Sequence, residues 1–133
     1  MHEQFVPYYL TILAMGATGA LLLVQLVVVD VAGMRAGHSP GAPIPTDHGS
    51  FLFRAGRAHA NTNESVAAFV LLALFGMFTG ASPGWLNGLA ITYAAARLSH
   101  MVCYYAGVQI LRSVSFGAAL VALVGMLLTG LLS

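Results

Sequence analysis

Apolar residues along this chain fall in long unbroken blocks, unlike the alternation of a strand or the narrow stripe of a soluble amphipathic helix. The first block runs without a charge from Tyr8 to Val29. At about 1.5 Å rise per residue it matches the roughly 30 Å hydrocarbon core of a bilayer. The last block, Ser113 to Leu132, is equally free of charge. Between them lie an apolar run from Ser65 to Gly80 and another opening at Trp85, parted by the breaker Ala81-Ser82-Pro83-Gly84. The pattern predicts an all-α integral membrane protein, a four-transmembrane-helix bundle forming one domain over 1–133, with spans near 8–29, 59–80, 85–108 and 113–132.

Polar positions orient these spans. Glu3 and the long apolar run behind it do not fit a cleavable signal, so the first block is expected to be a retained span. Arg35, Arg54 and Arg57 fall in the first connection or at the start of the second helix, and Arg112 sits at the turn before the fourth. Basic loops stay in the cytoplasm, so both termini are expected on the non-cytoplasmic side. Tyr8, Tyr9 and Trp85 then mark the outer interface, and Tyr104 with Tyr105 the inner one. The first loop, from Ala32 to about Gly49, is rich in Gly, Pro, His and Asp and is the one place where a flexible lid could form. Asp47 and Ser50 are candidate N-caps for a second helix that starts in the cytoplasm and enters the bilayer near His59.

Composition narrows the class. With 59% hydrophobic and 7% charged residues, the chain cannot clothe a water-facing surface, for which about a quarter charged is usual. Five Lys and Arg residues, all of them arginine, and a net charge of +1 argue against nucleic acid as a partner. Cys103 is the single cysteine, which excludes an intrachain disulfide.

Candidate chemistry lies where polar groups replace cheaper apolar ones. Arg54, Arg57, Asn61 and Glu64 are spaced three, four and three apart and share one helix face. Arg97, His100 and Tyr104 repeat that spacing on the next helix, so the two stripes are expected to meet. A charge at bilayer depth costs about 2.5 to 3.5 kcal/mol and needs a partner or a wet cavity. Glu64 and Arg97 are therefore expected to pair, within a constellation that reads as a binding site more than as pure scaffold. His59 and His100 would suit haem only between helices, no metal-ligand spacing accompanies them, and no metal is expected. Gly16, Gly19, Gly76 and Gly80 read as close-packing positions, Met101 and Cys103 as packing residues, and His2, His38 and His48 as solvated.

The string Arg57-Ala58-His59-Ala60-Asn61-Thr62-Asn63-Glu64, opening an apolar span, resembles the signature of the MAPEG family, the membrane-associated proteins of eicosanoid and glutathione metabolism. Arg97-Leu98-Ser99-His100, followed by Tyr104 and then Arg112-Ser113, is the second match, and the likeness runs from about Val24 to the end. It implies a bacterial-type member in an inner membrane. It further implies a homotrimer that binds glutathione as co-substrate at subunit interfaces near the cytoplasmic side, with a lipophilic small molecule entering from the lipid bilayer. Arg57, Asn61 and Glu64 match the positions that hold the tripeptide, Tyr104 or Tyr105 matches the third-helix tyrosine, and Arg112 matches the arginine beside the glutathione sulfur. Arg54, His59, Arg97 and His100 complete the expected binding set, with Ser113 beside Arg112 as a further hydrogen-bond donor. Ser65 stands where many members carry an aromatic residue, and the spacing from His100 to Arg112 differs from some by a residue.

Thiol chemistry supports this expectation. A thiol of pKa near 8.5 becomes a competent nucleophile when an arginine and a helix N-terminus stabilise its thiolate. Two functions are expected from the likeness: a glutathione transferase or peroxidase acting on lipophilic electrophiles, or a non-catalytic lipid-binding or accessory subunit of a larger membrane complex.

Overall fold

A computed structural model describes residues 3–133. A short 3-10 segment, Glu3–Tyr8, leads into α1 (Tyr9–Arg35), followed by α2 (Phe51–Thr79), α3 (Pro83–Ala106) and α4 (Gln109–Leu131). His2 lies outside the described residues. The segment containing α1, together with α2 and α4, is long and apolar enough to cross a membrane. The 24-residue α3 does not share that property, because Asn87, Arg97, Ser99 and His100 interrupt it.

Local chemistry sets the helix ends. Ser50 Oγ accepts from Phe53 N at 3.4 Å and caps α2, while Asp47 bonds the amide of Gly49 instead. Gly80 and Gly107 each adopt φ of 74° as left-handed caps of α2 and α3, and Pro83 opens α3. A capping side chain from another helix serves α1. Asn87 Oδ1 accepts from Thr11 N at 2.9 Å, and Asn87 Nδ2 donates to the Pro7 carbonyl at 2.8 Å.

Successive helices run antiparallel, α2 to α3 and α3 to α4 through short connections and α1 to α2 through the longer loop 36–50. The central pair is α2 and α3, with α1 and α4 flanking it, and α3 packs against all three other helices. One end of the bundle therefore collects the C-terminus of α1, the start of α2, the end of α3 and the start of α4, and with them every arginine. At the opposite end, Phe69, Ala73, Leu86, Ala90, Ala122 and Met126 form an apolar core, in which Phe69 stacks on Tyr93 at 4.2 Å. Bare glycines let neighbours in. A Cβ on Gly76 would lie 2.9 Å from Leu86, and one on Gly130 would lie 2.6 Å from Phe75.

Several expectations need correction. Gly16 and Gly19 face open space rather than a helix of the same chain, because their side of α1 points outward, and Gly80 serves as a cap. Tyr8 is buried and donates to the Ala81 carbonyl at 2.7 Å, so it staples two segments of the chain, whereas Trp85 is 70% exposed. The first helix continues to Arg35, since Ala32, Met34 and Arg35 favour helix and outweigh the single Gly33, and the left-handed Gly37 follows its end. The first loop touches the start of α2. Ile44 approaches Gly56 so closely that a Cβ there would lie 3.1 Å away, and Arg54 Nη1 donates to the carbonyls of His48 and Gly49 at 2.8 and 2.9 Å.

Candidate functional site

The arginine-bearing end is crossed by a belt of polar contacts. Gln25 of α1, completely buried, donates through Nε2 to Thr62 Oγ1 of α2 at 3.1 Å. Asn61, on the next position of α2, meets Arg97 of α3. Ser65 bonds Tyr93 across the same helices at 2.7 Å, and Ser99 of α3 bonds Ser115 of α4 at 2.8 Å. All four helices are thus tied at neighbouring levels by hydrogen bonds that lipid cannot replace.

Arg97 is the most expensive member, being only 1% exposed. The expected pair with Glu64 does not form. Arg97 Nη1 donates to Asn61 Oδ1 at 2.6 Å and, more weakly, to the Asn61 carbonyl at 3.4 Å. Its guanidinium carbon also lies 5.6 Å from the Tyr93 ring and 5.7 Å from Phe116, so two aromatic faces and one amide stand in for a carboxylate. The reason is rotational. Arg97 points into the bundle, whereas Glu64, three residues beyond Asn61, is exposed.

At the first turn of α4, the Arg112 guanidinium carbon lies 4.5 Å over the Tyr104 ring, and His100 meets the same ring edge-on at 5.0 Å. Arg112 falls inside α4 rather than at the turn before it, because the helix begins at Gln109. Tyr104 packs with Leu21, Ala58 and Met101, which places it level with the stretch of α2 around Arg57. Tyr105 turns the other way, against Phe51 at 5.4 Å, with its hydroxyl buried and unpartnered.

The structure thus forms two sets of contacts, Asn61 with Arg97, and His100 and Arg112 with the Tyr104 ring, which has its own packing cluster. Arg57 and Glu64 stand exposed on α2, and Arg54 holds the loop. Ser113 is exposed and bonds back to the Gln109 carbonyl at 3.3 Å; His59 is half-buried. His38 bonds the Ala42 carbonyl at 3.0 Å and His48 packs edge-on against Phe53 at 5.0 Å, so both serve the loop. Among the described residues no group of His, Cys, Asp and Glu is placed to hold a metal ion. Sequence reasoning missed Gln25, Thr62, Tyr93 and Phe116. A lone amide within the first apolar block was the available signal for Gln25; nothing local marks Phe116 as a partner of a cation.

A helical bundle with three helices long and apolar enough to cross a membrane, cross-linked by buried polar groups at its arginine-bearing end, defines the class as an integral membrane protein. The MAPEG family model matches residues 11–132, and the chain belongs to this family. No curated protein matches the chain.

Proposed function

We propose that all four helices cross the membrane with both termini outside, and that the protein is a homotrimeric glutathione transferase or peroxidase acting on lipophilic electrophiles. The observation that carries this reading is the stacking of Arg112 on Tyr104 at the N-terminus of α4. A guanidinium held by an aromatic face at a helix N-terminus supplies two sources of positive potential for a thiolate. Arg57 and Glu64, exposed at the same end and complementary to the carboxylates and amino group of glutathione, support the choice of thiol. Charges left exposed on a helix with so apolar a far half support a second copy lying against them.

In this mechanism glutathione gives up its thiol proton to solvent and the thiolate is held by Arg112. Its sulfur attacks the electrophilic carbon, the new C–S bond forms as the leaving group departs with the bonding electrons, and the conjugate is released. With a lipid hydroperoxide, two glutathione molecules are oxidised to the disulfide while the hydroperoxide is reduced to alcohol and water. An inner-membrane location fits the family likeness and the charge asymmetry.

A specific feature favours a second reading, that of a non-catalytic lipid-binding or accessory subunit. An apolar groove of about 400 Å³ runs between α1 and α3, lined by Leu13, Ala17, Val24, Ile91, Ala94 and Leu98. The deciding experiment mixes purified protein in mild detergent with glutathione and an activated aryl chloride. Conjugate should form, and Arg112→Ala should lower the rate at neutral pH by about ten- to a thousand-fold, the cost of one charge-assisted contact in a dry site. Raising the pH should restore Arg112→Ala more than the parent, since hydroxide then supplies the thiolate. An unchanged rate and pH profile would favour the second reading. For orientation, cysteines placed at Ser82 and Ser133 should label from outside and one at Ser39 should not.

A further inference from the structure

The geometry points to Arg97 as a positioning residue that fixes the polarity of the Asn61 amide, so that Asn61 meets its ligand only as a hydrogen-bond donor. This inference rests on the glutathione reading and deepens it. Arginine has five N–H donors and no acceptor, so the atom it meets at 2.6 Å must be the amide oxygen of Asn61. The nitrogen Nδ2 is thereby turned away from α3. Asn61 is half-buried, Nδ2 bonds no residue among those described, and it is not among the buried atoms that lack a partner. It therefore remains reachable from outside the bundle.

The surroundings of Arg97 make this orientation hard to reverse. The guanidinium is held between Tyr93 and Phe116 and is 1% exposed, so it cannot swing out to touch a ligand itself. No acidic side chain bonds it, and its charge acts outward through the one neutral group it holds. A guanidinium on the oxygen polarises the amide and strengthens its N–H bonds as donors. The ligand group that belongs at Asn61 is accordingly an acceptor, a carboxylate or a peptide carbonyl of the tripeptide, while its ammonium must find Glu64 or another oxygen.

The test turns on a sign. If Asn61 donates, Asn61→Asp places a second anion before the ligand acceptor, and glutathione binding to the detergent-purified protein should weaken about 10- to 100-fold, the range of a charge-assisted hydrogen bond. Unchanged or tighter binding would overturn the donor assignment. Arg97→Lys keeps a cation on the amide oxygen and should bind within a few-fold of the parent. Arg97→Gln lets the amide turn over and should raise KM for glutathione more than it lowers kcat. Equal losses in the Lys and Gln variants would reduce Arg97 to scaffold.

A second arm needs no ligand. Asn61→Asp should raise the thermal midpoint, because it pairs with Arg97, and the gain should vanish in the Arg97→Gln background. A gain that survives Arg97→Gln would overturn the contact. A parent protein that binds no glutathione, with the thermal arm intact, would remove the glutathione reading and the donor half of this inference together, leaving only the Arg97–Asn61 contact standing.

Discussion

Where Phe69, Ala73, Leu86 and Met126 meet, no side chain carries a charge and helix contact is made by surface alone. At the other end Gln25, Asn61, Arg97 and Ser99 reach across helices through hydrogen bonds. Lipid tails are as apolar as the first set, so that core is held by dispersion and fit, which bare glycines sharpen by admitting Leu86 and Phe75, while Tyr8 and Asn87 add hydrogen bonds at its rim. The second set has no substitute in lipid, and its members are fixed in angle as well as in distance. The contrast teaches that one end is free to vary in composition if shape is kept, while the other is constrained atom by atom, as a binding site requires.

Three substitutions break or sharpen this contrast. The largest effect on stability is expected from Phe69→Ala, which empties the stack on Tyr93 in a position with no exposed surface and should cost about 3 to 5 kcal/mol. Reversible unfolding in mixed micelles measures this, and glutathione affinity of the folded fraction should be unchanged. A loss of affinity as large as the loss of stability would erase the division between the ends. Glu64→Gln comes next. The residue is exposed, so the thermal midpoint should hardly move, yet glutathione binding should weaken about tenfold, or roughly 1.4 kcal/mol, with no change in the pH profile. A shift of that profile would mean that Glu64 takes part in ionising the thiol.

The smallest effect is expected from Gln25→Leu. The change removes one hydrogen bond and also an amide oxygen that has no partner, while Thr62 keeps its bond to the Ala58 carbonyl at 3.2 Å. Thermal stability should stay within about 1 kcal/mol of the parent, as interhelical hydrogen bonds in membranes average near 0.6. A loss of several kcal/mol would show that the belt is cooperative rather than a set of separate bonds.

Much of this molecule was legible in the order of its residues, and the rest was not for identifiable reasons. The breaker at 81–84, the cap at Ser50 and the three- and four-residue spacing on α2 are local facts, and they mark the helices and their polar faces directly. Which groups meet across helices depends on how each helix is rotated about its axis. Periodicity within one helix fixes a face but not the neighbour that face will see. The expected Glu64–Arg97 pair failed on that point, since charge was matched without rotation, and Asn61 took the contact. Gly16 and Gly19 failed similarly, because a small residue announces close approach without saying to what. The candidate residues on α2, α3 and α4 stand out because polar groups in an apolar run are conspicuous. Phe116 was missed because an aromatic residue in such a run is not.

The link between α3 and α4 consists of Gly107 and Val108. Synthesis delivers α3 first, and a lone helix bearing Arg97 and His100 is retained poorly by the translocation channel, its arginine alone costing about 2.5 to 3.5 kcal/mol. The strongly apolar α4 follows directly and, tied so closely, is expected to draw α3 in with it. If the proposed four-span arrangement holds, the two arms enter the bilayer as one unit, and lengthening that link with flexible glycines should strand α3 at the membrane surface, readable as protease sensitivity before any assay of chemistry.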